Sequence, residues 1–376
     1  MTDPHRPESP DEEILGKSEG YPVCTALGQQ RCLVGVYSHF DQVFPARVVK
    51  AGTARPLKRA PEPAALGVQA FLDANRDTGL LILKGDTLLA ERYQYERKPS
   101  DRFTSMSMAK TVVAMLLGIA LSEQKIRSID DLAQDYVPAL KGQPYGETKL
   151  RHLLMMSSGV KFDERYDGHD DVSILAERTF YQKGPGGADT VRGFTERVRP
   201  AGEKFSYASA ETQVLALVLR AAVGSTLSDY LSEKIWKPMG AEADATWLVD
   251  AGGYELGYVG LNATLRDWGR LGMLLANYGE LDGRQIIPAE WVREATTAHG
   301  PQFEPGVATK YNGYGYQTWL IRDGGFALLG VRGQGVFVEP RSKVVIVHAA
   351  VHATPADPAL ADQFRFFFAT LRVLGN

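Results

Sequence analysis

The chain predicts an α+β fold, in which an antiparallel sheet is flanked by helices and an all-α domain is inserted in the sequence. Three observations predict it. Strand-like runs occur towards both ends, the middle is dominated by helical periodicity, and the last element is an apolar helix. Strands on either side of a helical middle imply one discontinuous α/β sheet domain, residues 66–104 and 255–376. The all-α domain would then occupy 105–254, with a cleft at the interface.

Each element has a local reason. Residues 1–19 are polar, acidic and proline-containing, so a disordered tail is expected rather than a signal peptide or an anchor. Residues 20–65 mix aromatic and turn residues (Tyr37 to Phe40, then Pro45, Pro56, Pro61 and Pro63) and are expected to form an extended arm. Leu66 to Asn75 reads as a helix. The runs 79–83 and 87–93 are joined by Lys84-Gly85-Asp86, a hairpin signal.

Further along, helical patterns cover the segment after Ser107, then 150–156, 211–223 closed by Gly224, 229–236 and 264–278, with a turn at 130–136. The stretches 314–320, 326–329, 335–338 and 344–348 read as strands, and 359–374 as the final helix.

Composition excludes several classes of function. A chain of 376 residues with 44% hydrophobic content can bury a sizeable core, and its formal charge of −3 with no long Lys/Arg run argues against a nucleic-acid partner. The longest apolar run, near residue 112, is about ten residues, too short to cross a membrane. Cys24 and Cys32 are the only cysteines. That fits a reducing compartment and no disulfide framework, so cytoplasmic residence is expected.

The chemistry starts at Ser107-Met108-Ala109-Lys110, where an apolar helix begins. A spacing of three puts both side chains on one helical face, so the amine can sit beside the hydroxyl. The amides of the helix start can face an incoming oxyanion. This is the S-x-x-K arrangement of a serine acyl-enzyme. A second segment, Phe205-Ser206-Tyr207-Ala208-Ser209-Ala210, precedes another apolar helix. There Tyr207 can project into a cleft and take the Ser107 proton with Lys110; the alternative is a buried core tyrosine. A third, Leu328-Leu329-Gly330-Val331-Arg332-Gly333-Gln334, is a strand, a glycine-rich bend and a second strand. The Val331 amide there could be a second oxyanion donor beside that of Ser107; the alternative is an ordinary hairpin turn.

In this order the three segments resemble the serine β-lactamase and penicillin-binding protein superfamily, whose motifs are S-x-x-K, Y-x-N or Y-x-S, and K-T-G. Arg151 to Val160 resembles its R-H-L-L-x-M-x-S-G segment, and Gly260 to Asp267 its glycine-rich entry into a late helix. The resemblance covers residues 66–376 and implies a β-lactamase-like fold. Within the superfamily the chain is most similar to 6-aminohexanoate-dimer hydrolases and class C-like carboxylesterases, through Phe205 to Ala210, Gly330 to Gln334 and the loop Ser158 to Tyr166. That likeness implies a serine hydrolase acting on small-molecule esters or linear amides, with Ser107, Lys110 and Tyr207 catalytic and the amides of Ser107 and Val331 as oxyanion hole. Neither a metal nor an organic cofactor is implied.

The departures matter as much. Leu328 stands where the family has the lysine of K-T-G, which weakens the expectation of β-lactam recognition and makes Leu328 a candidate for the acyl chain. Tyr166 is a candidate substrate contact, with Gly330 lining the bend. Arg332 either binds a substrate carboxylate or makes surface contacts. The alternatives are a β-lactamase or D-amino-acid peptidase, and a binding protein of the same fold that does not turn over.

Other motifs fall away. Gly16 to Gly20 spells G-x-S-x-G but lacks the preceding strand of a nucleophile elbow. Asp163 to Asp171 fails the EF-hand pattern at Arg165 and Ile174, so a solvated acidic loop, Glu164 included, is expected. His348 and His352 have no H-E-x-x-H context and suggest no zinc.

Overall fold

The computed structural model describes residues 9–16, 21–25, 28–356 and 358–375. Its strands are β1 (Ala46–Val49), β2 (Lys58–Arg59), β3 (Asp77–Lys84), β4 (Thr87–Tyr93), β5 (Arg102–Thr104), β6 (Ala245–Leu248), β7 (Leu261–Thr264), β8 (Glu280–Leu281), β9 (Arg284–Gln285), β10 (Gly313–Tyr314), β11 (Trp319–Leu320), β12 (Phe326–Gly330), β13 (Gln334–Glu339) and β14 (Val344–Ala350). The helices are α1 (Glu12–Leu15), α2 (Leu33–Ser38), α3 (Phe40–Val43), α4 (Val68–Ala74), α5 (Ala109–Ser122), α6 (Leu150–Leu154), α7 (Asp171–Arg178), α8 (Ser209–Val223), α9 (Leu227–Leu231), α10 (Leu265–Ala276), α11 (Ala289–Ala295) and α12 (Leu360–Leu374).

An eight-stranded sheet in the order β10-β11-β12-β13-β14-β3-β4-β2 forms the scaffold, antiparallel except for the β2–β4 pair. The near-continuous apolar run of β3 places it well inside, between β14 and β4. Side chains alternate across the sheet. Leu81, Leu83, Val345 and Val347 therefore join the main core, while Leu80, Ile82, Val344 and Ile346 face a second core with Phe366 and Phe367 of α12. Helix α10 lies close to the sheet because Gly272 leaves room: a Cβ there would meet Val345 Cγ1 at 2.5 Å.

Helices α5 and α8 build the other half of the molecule. Every residue of α5 from Ala109 to Ala120 is buried, as expected of a helix that is apolar all round. It packs against α8, and Lys110 near its start approaches Tyr207, which lies just ahead of α8. No single helix among the described residues is long and apolar enough to cross a membrane.

Four expectations change. Within the tail, described residues 9–16 pack onto the domain, with Leu15 fully buried and the Tyr95 hydroxyl donating to Pro10 O at 2.7 Å. The arm is not extended, because its apolar residues fold into α2 and α3 and β1 pairs with β6. The 105–254 span is not purely helical. It contributes β6 to a four-stranded sheet in the order β1-β6-β7-β5. Cys24 and Cys32 are joined in a disulfide, with Cα atoms 5.8 Å apart, where reduced thiols were expected. Of the Gly16–Gly20 string, residues 17–20 lie outside the described residues.

Candidate active site

Strand β5 delivers the chain to the site. Beyond it, the Ser105 amide donates to Leu261 O at 2.7 Å and Ser105 Oγ accepts from the Leu261 amide at 3.1 Å, so the bend is fastened to β7. Met106 follows with φ of 41°, the left-handed region that side chains disfavour. The chain reverses there into a single tight turn, Met106–Met108, that runs into α5.

Ser107 sits on that turn with Lys110 three residues on. Lys110 Nζ donates to Ser107 Oγ at 2.8 Å and to Tyr258 O at 3.2 Å, and the residue is 1% exposed. Burial pulls its pKa down to about 8, and the nearby charge of Glu164 opposes that shift. An amine with this pKa is partly neutral near neutral pH and can accept a proton.

Tyr207 lies on the loop just before α8. The amides on either side of it, those of Ser206 and Ala208, donate to Met156 O at 2.8 Å and Met156 Sδ at 3.4 Å. Its ring stacks on Trp319 with centroids 5.3 Å apart, and Lys110 Nζ lies 4.9 Å from the ring centroid. Burial raises the phenol pKa and the Glu164 charge raises it further, while a hydrogen bond with the Ser107 hydroxyl works the other way. At rest Tyr207 is a neutral phenol.

Glu164 is not a solvated loop residue. Its Oε2 accepts from the Ser209 amide at 2.7 Å, and its Oε1 accepts from Ser209 Oγ at 2.8 Å and from the Tyr166 hydroxyl at 2.6 Å. It thus joins the start of α8 to the acidic loop, a place where the helix dipole favours a carboxylate. The rest of that loop caps rather than chelates: Asp170 Oδ1 accepts from the Ser173 amide at the start of α7 at 3.1 Å. Among the described residues no group of three or more His, Cys, Asp or Glu is placed to hold a metal.

Ser107, Tyr166, Val331 and Arg332 line one cleft of about 570 Å³, together with Glu164, Ser209 and Tyr258. Gly330 lets β12 close on the Ser107 turn, since a Cβ there would lie 2.6 Å from Ser105 O and 2.8 Å from Met106 Cβ. Val331 opens the connection to β13. Arg332 is mostly buried rather than a rim residue, and its Nη1 donates to His352 O at 2.8 Å and Ala353 O at 2.5 Å.

Leu328 is a correction. It is fully buried in the main core, opposite Val336, and does not border the cleft, because packed side chains cover that face of β12. Two neighbours of Lys110 and Tyr207, namely Tyr258 and Glu164, were missed as site residues. Tyr258 has no motif around it and reaches Lys110 only through the fold.

A family model for beta-lactamase matches residues 69–368. The chain belongs to the beta-lactamase family. A 6-aminohexanoate-dimer hydrolase of Paenarthrobacter ureafaciens is 29% identical to this family member over 283 residues, 71% of this chain and 70% of that protein. Among solved structures, a provisionally named 6-aminohexanoate-dimer hydrolase from Bacillus anthracis superposes with a TM-score of 0.84 at 23% identity, covering 93% of this chain and 96% of its own. EstCE1, a hydrolase with promiscuous acyltransferase activity, has a TM-score of 0.63 at 16% identity, covering 81% and 98%. These similarities place the mixed sheet and its helices in the β-lactamase-like fold, and family membership makes the protein a hydrolase.

Proposed function

We propose that the protein is a serine hydrolase that cleaves esters or linear amides through a covalent acyl-enzyme. The observation that carries this reading is the 2.8 Å contact from Lys110 Nζ to Ser107 Oγ, made by an amine whose pKa burial has lowered to about 8. Ser107 Oγ attacks the substrate carbonyl carbon. Its proton passes to the Lys110–Tyr207 pair, and the carbonyl oxygen takes up negative charge facing the Ser107 and Val331 amides. The tetrahedral intermediate collapses, the ester or amide bond breaks, and the leaving group receives the proton from the pair. Water then attacks the acyl-enzyme by the same route and releases the acid.

The cleft supports a linear substrate. Val172, Ala176 and Phe180 give it an apolar side, carboxylates of Glu164, Asp167 and Glu177 border it, and among the described residues that line it Arg332 is the one cation. That set suits a short acyl chain and also a linear amide with charged ends, of the kind named for the Paenarthrobacter ureafaciens relative. A penicillin carboxylate would lack the family lysine, since Leu328 occupies that position within the core.

A fluorophosphonate probe tests the mechanism. One label per chain, mapped to Ser107 and lost in Ser107→Ala, is expected. Undiminished labelling of Ser107→Ala would overturn the assignment. Running p-nitrophenyl esters, nitrocefin and a linear 6-aminohexanoate amide side by side then sorts the substrate class.

A further inference from the structure

The connection that carries Val331 is held from behind by two buried glutamines on different elements. Gln334 opens β13 and is 2% exposed; Gln363 lies near the start of α12 and is 3% exposed. Gln334 Nε2 donates to Ala350 O at 2.6 Å and reaches Arg332 O at 3.3 Å and Val331 O at 3.5 Å. Gln363 Nε2 donates to Gly333 O at 3.2 Å, and the His352 amide donates to Arg332 O, also at 3.2 Å. All three carbonyls of the connection are therefore engaged on its inner side.

Such anchoring has a physical need. Arg332 takes a φ of 61°, a conformation that a residue with a side chain keeps only where its surroundings impose it, and Gly333, which is free to adopt it, follows at 91°. Buried carbonyls without donors would also be costly, so an apolar side chain at either glutamine would release the turn rather than hold it. There is no slack at Gly333, where a Cβ would meet Gln363 Nε2 at 2.7 Å and His352 Cε1 at 2.8 Å. The Val331 N–H shares its peptide with the Gly330 carbonyl at the end of β12, so the β12–β13 pairing fixes the chain before it and the anchored carbonyls fix the chain after it.

We propose that Gln334 and Gln363 are positioning residues for the oxyanion site, aiming the Val331 amide at the reacting carbonyl. The proposal rests on the acyl-enzyme reading above. Neither glutamine borders the cleft, so both act through the turn. A site that loosens by a fraction of an ångström loses transition-state stabilisation before it loses substrate binding.

The test uses the full chain and Gln363→Met, with p-nitrophenyl butyrate as substrate and phenylboronic acid as a mimic of the tetrahedral adduct. Rates are divided by the number of serines that a fluorophosphonate labels to completion. The expected result is a kcat per labelled site lowered by at least about tenfold, with KM held within about twofold and boronic acid affinity falling in step with kcat. A purely structural defect would instead remove labelled sites and leave the rate per site intact. Should Gln363→Met not fold, Gln363→Asn, which keeps a buried amide but draws it back from Gly333, is read in the same way. Unchanged kcat per site and boronic acid affinity in the folded variant overturn the proposal. Loss of activity in Ser107→Ala alongside that result would leave the acyl-enzyme reading standing, so the two failures are distinguishable.

Discussion

On the helical side of the cleft the groups proposed to react are side chains. Ser107 and Lys110 share one face of a helix start, and Tyr207 comes from the loop ahead of the next helix. On the sheet side the proposed group is a main-chain amide, that of Val331, and the side chains around it only hold it in place. On the proposed reading the first wall works by moving a proton, and burial tunes it. On the same reading the second works by standing still, held by the hydrogen bonds to its carbonyls. The two walls should therefore fail in different ways.

The largest expected effect breaks the helical wall. Lys110→Ala or Tyr207→Phe should each lower kcat/KM for p-nitrophenyl butyrate by roughly 10²–10⁴, the range for a proton-transfer group. If the two act as one unit, the double variant loses little more than the worse single variant. Additive losses in log rate would show two independent groups.

Val331→Pro breaks the other wall by deleting one N–H. A loss of about 10²–10³ in kcat with little change in KM is expected, as for one oxyanion donor. Circular dichroism of the variant checks that the sheet survives. A kcat within about twofold of the parent would remove Val331 from the oxyanion site.

Two smaller effects sharpen the contrast. With no lysine on β12, a penicillin carboxylate forgoes a charge-assisted hydrogen bond worth roughly 1.5–3 kcal/mol. Hence kcat/KM for p-nitrophenyl butyrate should exceed that for benzylpenicillin by at least about tenfold. Efficient penicillin turnover that collapses in Arg332→Ala would restore the β-lactam reading. The pH profile comes last. Because burial lowers the Lys110 pKa to about 8, the neutral amine becomes more abundant as pH rises towards that value. Ester hydrolysis corrected for background should climb through pH 7 and level off above about 8. A flat profile from pH 6 to 9 would show that Lys110 does not accept the proton.

The same contrast explains what could be read from the sequence. Ser107 and Lys110 are neighbours along the chain, so helical spacing alone puts them together. The hairpin around Gly85 and the helix closed by Gly224 were equally legible, since each is a local pattern ending on a glycine with positive φ. Contacts made only by the fold were not. Glu164 meets Ser209, and Lys110 meets the Tyr258 carbonyl, across long stretches of sequence with no periodic signal. Leu328 was placed on its strand, but alternation tells which face a residue takes and not what covers it. Ala245–Leu248 reads Ala-Thr-Trp-Leu and is buried at all four positions, too short a run to show the alternation that marks a half-buried strand, and was absorbed into the helical span. The arm hid its helices because its turn residues outweighed short apolar runs.

Met106 carries one more consequence. A residue with a side chain held at φ of 41° costs on the order of 1–3 kcal/mol, a penalty glycine would not incur. Glycine there would relax the bend but would also remove a side chain buried in the main core, so folding alone does not favour it. A freer bend would also let Ser107 wander, and the Met106 side chain lies where β12 closes over the turn. The packing of one side chain thus holds in place the strain that the same residue carries, and Met106→Gly should slacken the turn and lower stability together.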